Sequence, residues 1–297
     1  MSRTSDLVDS HIYLSSNQAV TKYVDLQEII NERESVFLKR LPRFIVRLLE
    51  KIIHQDEINT LLKKYEGCNG QDFIWKMISE LNINLKVEGE ENLPAQSRCF
   101  IVANHPFGIA DGLAITSIAS KKYGGFKSIG NDVYYYIPNL RDNIVAVNVF
   151  GKSNREYILK ALDELKSSDA PVTHFPAGLV SRLQKGRVRD KPWHKSLISR
   201  SISTERLVVP VYFHGRNSLL FYSLFLIRKL FRLPLNIELI LLPHEFFRKR
   251  NKTIRARIGK PIHWQRFDAS LTHYQWAQKV REYVYKMGKT KGDPPPF

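Results

Sequence analysis

His105 and Asp111 are the residues whose types and spacing best suit chemistry. A neutral imidazole held by a carboxylate takes a proton from a hydroxyl, which is the work of a general base. The pair lies in Asn104-His105-Pro106-Phe107-Gly108-Ile109-Ala110-Asp111-Gly112. The apolar run Cys99 to Ala103 precedes it and reads as a buried strand. Ala110, Leu113, Ala114 and Ile118 follow at helical spacing. Asp111 falls in the first turn of that helix, where the dipole favours a carboxylate. A histidine and an aspartate thus converge where a strand feeds a helix, the place where open α/β sheets build sites. The same residues also suit a plain turn, with His105 ending the strand and Asp111 capping the helix.

Three later segments favour chemistry. They are Val147-Asn148-Val149-Phe150-Gly151, Phe175-Pro176-Ala177-Gly178-Leu179-Val180-Ser181-Arg182, and Val208-Val209-Pro210-Val211-Tyr212-Phe213. In order and spacing, the His/Asp box and these segments resemble the four blocks of the glycerolipid acyltransferase superfamily. That superfamily has an N-H…D box, an Arg-bearing second block, F-P-E-G and V-P-V/I. The wording is most similar to a hemolysin-like or lyso-ornithine-lipid acyltransferase-like branch, with N-H-P-x-G-x-x-D-G, F-P-A-G and P-V-Y-F-x-G-R-N-S. Here the last of these reads Pro210-Val211-Tyr212-Phe213-His214-Gly215-Arg216-Asn217-Ser218. The resemblance spans roughly residues 85 to 265. It implies an α/β fold with a mixed sheet flanked by helices.

The resemblance also implies roles. His105 would be the general base and Asp111 its orienting partner, with direct attack of the acceptor oxygen on an acyl thioester. Asn104, Gly108, Phe175, Pro176, Gly178, Ser181, Arg182 and Pro210 would surround substrate. Asn148 and Arg155 stand where the second block places acceptor-binding groups, and backbone N–H groups near Gly178 would face the oxyanion. The donor would be acyl carrier protein or coenzyme A thioester. No metal or organic cofactor is implied. Two departures bear on the reading. Five residues separate His105 from Asp111 where most of the superfamily has four, and Gly108 can absorb the extra one. Ala177 stands where a glutamate usually serves a glycerol-phosphate acceptor. This points to a hydroxyl on an amino-acid lyso-lipid, of ornithine or glycine type. A lysophosphatidate acyltransferase and a non-catalytic lipid-binding protein are the alternatives.

Composition bounds the partners. The chain has 297 residues and a net charge of +17, so its surface attracts anions. Helix-turn-helix, ribonucleoprotein and zinc patterns are absent from the sequence, which argues against nucleic acid. Cys68 and Cys99 make no disulfide scaffold. The polar start, Met1 to Asp6, does not read as a signal peptide, so none is expected, and no apolar stretch reaches the ~20 residues of a membrane span. A peripheral protein on the cytoplasmic face of a membrane is expected.

The pattern divides the chain into a helical segment over 1–85, an α/β domain over 86–288 and a disordered, proline-rich tail over 289–297. Helices are predicted near 25–33, 35–54, 56–65 and 70–82. Strands are predicted over 98–103, 126–130, 143–149, 171–175, 207–213, 235–242 and 253–259. Capping boxes at Ser153 and Thr272 open two further helices. Two apolar stretches with basic ends, over 36–49 and 219–232, suit either a core or a membrane surface. In the second, Arg228, Lys229 and Arg232 would meet anionic headgroups. A basic run, Arg182 to Arg200, interrupted by the single acid Asp190, suits either a solvated loop or a platform for anions. His174 and His214 end strands, where they suit a pocket wall or the core.

Overall fold

The computed structural model describes residues 22–32, 39–130, 137–146, 163–232, 236–290, 292 and 297. Its strands are β1 (Asn84–Glu88), β2 (Cys99–Ala103), β3 (Lys127–Gly130), β4 (Ile144–Ala146), β5 (Val172–His174), β6 (Arg182–Gln184), β7 (Arg187–Arg189), β8 (Leu207–His214) and β9 (Thr253–Ile258). Its helices are α1 (Leu26–Glu32), α2 (Arg43–Ile52), α3 (Gln55–Lys64), α4 (Gly70–Glu80), α5 (Ile109–Tyr123), α6 (Ser196–Ser203), α7 (Leu219–Leu230), α8 (Leu242–Phe247) and α9 (His273–Met287).

A seven-stranded sheet runs β1-β9-β8-β2-β5-β3-β4, parallel at every step except between β8 and β9. Its centre is built from apolar runs because parallel strands are covered on both faces. β2 is buried at every residue. Cys99, Ile101 and Ala103 enter one core with α3, α4 and α5, while Phe100 and Val102 enter the other with α6 and α9. This is the period-two alternation of a strand, read out as two layers of helices. The predicted mixed sheet with flanking helices is the observed architecture.

Pro210 sits within β8, a position that normally needs an N–H. The β8–β9 ladder stops at Val211 and Ile258, and the Pro210 carbonyl accepts the Gly259 amide at 2.8 Å. Proline therefore stands at the end of that ladder, where no strand residue faces its missing donor.

Helices α3 and α4 share the core of the α/β layer through Leu61, Leu62, Phe73, Ile74 and Met77. One predicted strand is wrong. Residues Ile237–Leu241 form a 3₁₀ turn leading into α8, which carries a proline in its first turn. Glu238 is held inside by Arg182 and Arg228, at 3.0 Å each, and the turn aims it there. Four features among the described residues escaped prediction: β1, the β6–β7 hairpin, α6 and α8. The Thr272 capping box is present, with Gln275 reciprocating. The Ser153 box, residues 36–38 of the first apolar stretch and the last residues of the strand predicted over 143–149 lie outside the described residues. So do 291 and 293–296 of the tail. Phe297 itself packs its ring on Phe267, Trp276 and Tyr283, unlike the disordered tail expected.

Candidate active site

β2 ends at Ala103 and the chain turns through Asn104 to Gly108 before entering α5. The Asn104 side chain spans to β8, donating to the Phe213 carbonyl at 3.0 Å and accepting its amide at 2.7 Å. It fixes where the turn begins. Gly108 is the N-cap of α5 at φ +85° and ψ −114°, a conformation essentially closed to other residues. A Cβ there would sit 2.8 Å from Leu242. Gly108→Ala should therefore cost about 1–3 kcal/mol in urea unfolding. An unchanged midpoint would show that the turn adapts.

This turn folds the chain back so that His105 Nδ1 meets Asp111 Oδ2 at 3.0 Å. The same oxygen accepts the amides of Phe107 at 2.7 Å and Gly108 at 3.0 Å. Asp111 is fully buried. Burial raises its carboxyl above the usual range, opposed by the imidazole and the two amides. Because Nδ1 faces a carboxylate, the neutral ring carries its proton there and leaves Nε2 bare. Phe175 stacks on the ring, with centroids 3.9 Å apart and planes 19° apart.

His105 opens onto a cavity of about 500 Å³, within the usual range for ligand pockets. Most of its lining is apolar, with Leu61, Phe73, Met77, Leu113, Leu140 and Phe246 among the contributors. Its polar end carries Thr173, His174, His194, Ser196 and Arg200. The cavity lies at the carboxyl ends of β3 and β5, where parallel sheets place ligands.

The other predicted site residues divide. Phe175 and Gly178 line the cavity with His105. The Gly178 amide donates to the Phe175 carbonyl at 3.0 Å, so it closes the turn and is not free for an oxyanion. Pro176 shapes that turn, its carbonyl accepting the His194 amide at 2.9 Å. Ser181 is buried, its hydroxyl donating to Asp190 at 2.5 Å. Arg182, expected at substrate, is instead buried away from the cavity, ion-paired to Glu238 and donating to the Val180 carbonyl at 2.8 Å. Pro210 lies in the sheet interior. Asn148 and Arg155 lie outside the described residues. His174 lines the cavity, while His214 packs edge-on against Tyr212.

Asp190 is a residue that the motifs did not reveal. One oxygen accepts the His105 amide at 3.2 Å and the Ser181 hydroxyl; the other accepts Trp193 Nε1 at 2.9 Å. The Ser181 amide donates to the His105 carbonyl at 2.8 Å. The His/Asp turn and the F-P-A-G segment are therefore clamped together through a fully buried carboxylate. A lone acid inside a basic run was the available signal. Arg200 was visible only as one more cation of that run.

Among the described residues, no cluster of histidine, cysteine or carboxylate side chains suits a metal ion, and no helix is long and apolar enough to cross a membrane. The apolar stretch 219–232 forms α7, which serves two surroundings at once. Phe221, Tyr222 and Phe225 are buried, while Leu219, Leu220, Leu226, Ile227, Leu230 and the following Phe231 are exposed. Arg228 is committed to Glu238. Its expected place at a headgroup is thus replaced by an internal ion pair, and Lys229 and Arg232 remain exposed.

Comparison with known proteins agrees with the motif resemblance. A family model described as Acyltransferase matches residues 28–291. A lyso-glycine lipid O-acyltransferase of Phocaeicola vulgatus is 38% identical over 265 residues, which span 89% of this chain and 95% of that protein. A second, from Bacteroides thetaiotaomicron, is 38% identical over 265 residues, spanning 89% of this chain and 97% of its own. The solved 1-acyl-sn-glycerophosphate acyltransferase of Thermotoga maritima has 20% identity and a TM-score of 0.45, covering 86% of this chain and 87% of that one.

Proposed function

The chain belongs to the acyltransferase family, and from that premise we propose that it moves a fatty acyl chain from a thioester to a hydroxyl of a glycine-type lyso-lipid. The observation that carries the chemistry is the His105 ring, held at Nδ1 by buried Asp111 and open to a largely apolar cavity. In this reading His105 Nε2 takes the proton of the acceptor hydroxyl. The acceptor oxygen forms its bond to the thioester carbonyl carbon. The carbon–sulfur bond then breaks, and the leaving thiolate takes the proton from the imidazolium. Asp111 stabilises the charged ring between these steps. The apolar wall suits the acyl chain. Acyl carrier protein and coenzyme A both remain suitable donors for a basic surface.

The acceptor reading rests on the relatives named above and on Ala177. That side chain is buried in an apolar cluster with Phe100, Trp193 and Leu197. The chain thus offers no acidic group there for a glycerol-phosphate acceptor. With labelled acyl thioester, lyso-glycine lipid should be acylated at least about 10-fold faster than lysophosphatidate when both are offered together, since sites reject acceptors whose polar groups they leave unpaired. Preference for lysophosphatidate would overturn the acceptor assignment while leaving the transferase chemistry standing. The exposed apolar face of α7 favours peripheral attachment to the cytoplasmic side of a membrane, where a lyso-lipid would be met.

A further inference from the structure

The mechanism leaves one charged group in the cavity without a task. Arg200 lines the polar end, yet its guanidinium has no partner among the described residues. Other sequestered arginines are held. Arg182 and Arg228 meet Glu238, and Arg206 donates to the carbonyls of Leu165, Ser168 and Ala170. Burial pulls the Arg200 pKa below its ordinary value, with no acid opposing it. A guanidinium stays charged in proteins, and Arg200, half-buried, has given up part of its water without gaining a counter-ion. Such a group is explained if its counter-ion arrives with a ligand.

The surroundings supply neutral donors. Ser196 precedes Arg200 by one helical turn of α6, so the two share a face. His174 is buried, with neither ring nitrogen in a well-formed hydrogen bond, although the Ile129 backbone lies close enough to favour the charged ring a little. Burial and the adjacent Arg200 charge push its pKa down to about 3, so it is neutral and keeps one N–H to give. The absence of a side chain at Gly178, φ +66°, leaves room for His194, whose Nε2 lies 3.3 Å from where a Cβ would stand.

We propose that Arg200, with Ser196 and His174 beside it, binds the carboxylate of the acceptor's amino-acid headgroup. The proposal rests on the acceptor reading above. An amino acid acylated on its nitrogen keeps its carboxylate, and one guanidinium flanked by neutral donors matches one such group. The more highly charged phosphates of a thioester carrier are better matched by Lys185, Arg187, Lys191 and Lys195, which are exposed.

The test is steady-state kinetics on the whole protein with a lyso-N-acylglycine acceptor, its methyl ester and an acyl thioester. Failure of the unaltered protein to acylate the free acid at all would refute the acceptor reading before any substitution is made. Given activity, the methyl ester should raise the acceptor KM roughly 10- to 100-fold, the value of a charge-assisted hydrogen-bonded pair. Arg200→Gln should raise the acceptor KM by a similar factor, leave the donor KM unchanged, and abolish discrimination against the ester. Arg200→Lys, which keeps the charge and loses the fork, should restore part of the discrimination. Circular dichroism identifies which variants are folded, and the ester comparison requires neither. Equal use of acid and ester by the unaltered protein overturns the proposal. So does a folded variant whose donor KM rises instead, which would assign Arg200 to a phosphate of the thioester.

Discussion

His105→Ala protein should fold like the parent and transfer acyl chains about 10²- to 10⁴-fold more slowly, the usual value of a positioned general base. The fold should survive because the turn is held by more than the imidazole. Asp111 keeps the Phe107 and Gly108 amides, and Asp190 and Ser181 hold the His105 backbone. Asp111→Asn should approach the same loss for a different reason. Oδ2 serves three donors, while Oδ1 is buried with no partner. An amide placed here either leaves its NH₂ unsatisfied or turns it toward donors that cannot accept. In both cases the imidazolium loses its counter-charge. Rates measured on purified, folded variants decide the matter. A near-normal rate for His105→Ala would remove the catalytic assignment and favour a protein that only binds lipid.

The second large effect concerns the membrane. Replacing Leu220, Ile227 and Phe231 by serine should lower binding to anionic liposomes roughly 100-fold or more, at about 1 kcal/mol or more for each partly buried apolar side chain. The protein should stay folded, because these side chains are exposed. Phe221, Tyr222 and Phe225 on the same helix are buried, and replacing them would test stability instead. High salt should release the parent only in part. It screens Lys229 and Arg232, each contributing about 1 kcal/mol near an anionic surface, but leaves apolar insertion intact. A folded triple variant that still floats with liposomes would exclude α7. The contact would then be sought at Phe44 and Leu48, exposed on α2. Ile52 of α2 joins the apolar cluster that also holds Phe221 and Tyr222 of α7.

The chemistry-bearing pair and the layers around it were legible in the chain because their signals are local. An apolar pentad, a glycine and an aspartate in a first helical turn follow one another within a few residues, and so do a threonine and glutamine that cap α9. Strand and helix periods need only neighbouring residues to declare themselves. The same locality misled at Ile237–Leu241. Its apolar composition suits a strand, and only the arginines that receive Glu238 from elsewhere in the chain explain the 3₁₀ turn.

What the sequence determined by itself was therefore the family motifs, the candidate pair His105 and Asp111, the buried central strands and the apolar stretch with a basic end over residues 219–232. Tertiary structure decided which charges are structural and which are available. Arg182 and Arg200 belong to one basic run and look alike as text, with Asp190 its single acid. Arg182 is neutralised by Glu238, Asp190 becomes the buried clamp of the His105 turn, and Arg200 stands in the cavity without a counter-ion. The partner of a buried charge is chosen by packing between elements distant in sequence. The cost of leaving such a charge unpaired is set by burial, a property that no single stretch of chain contains.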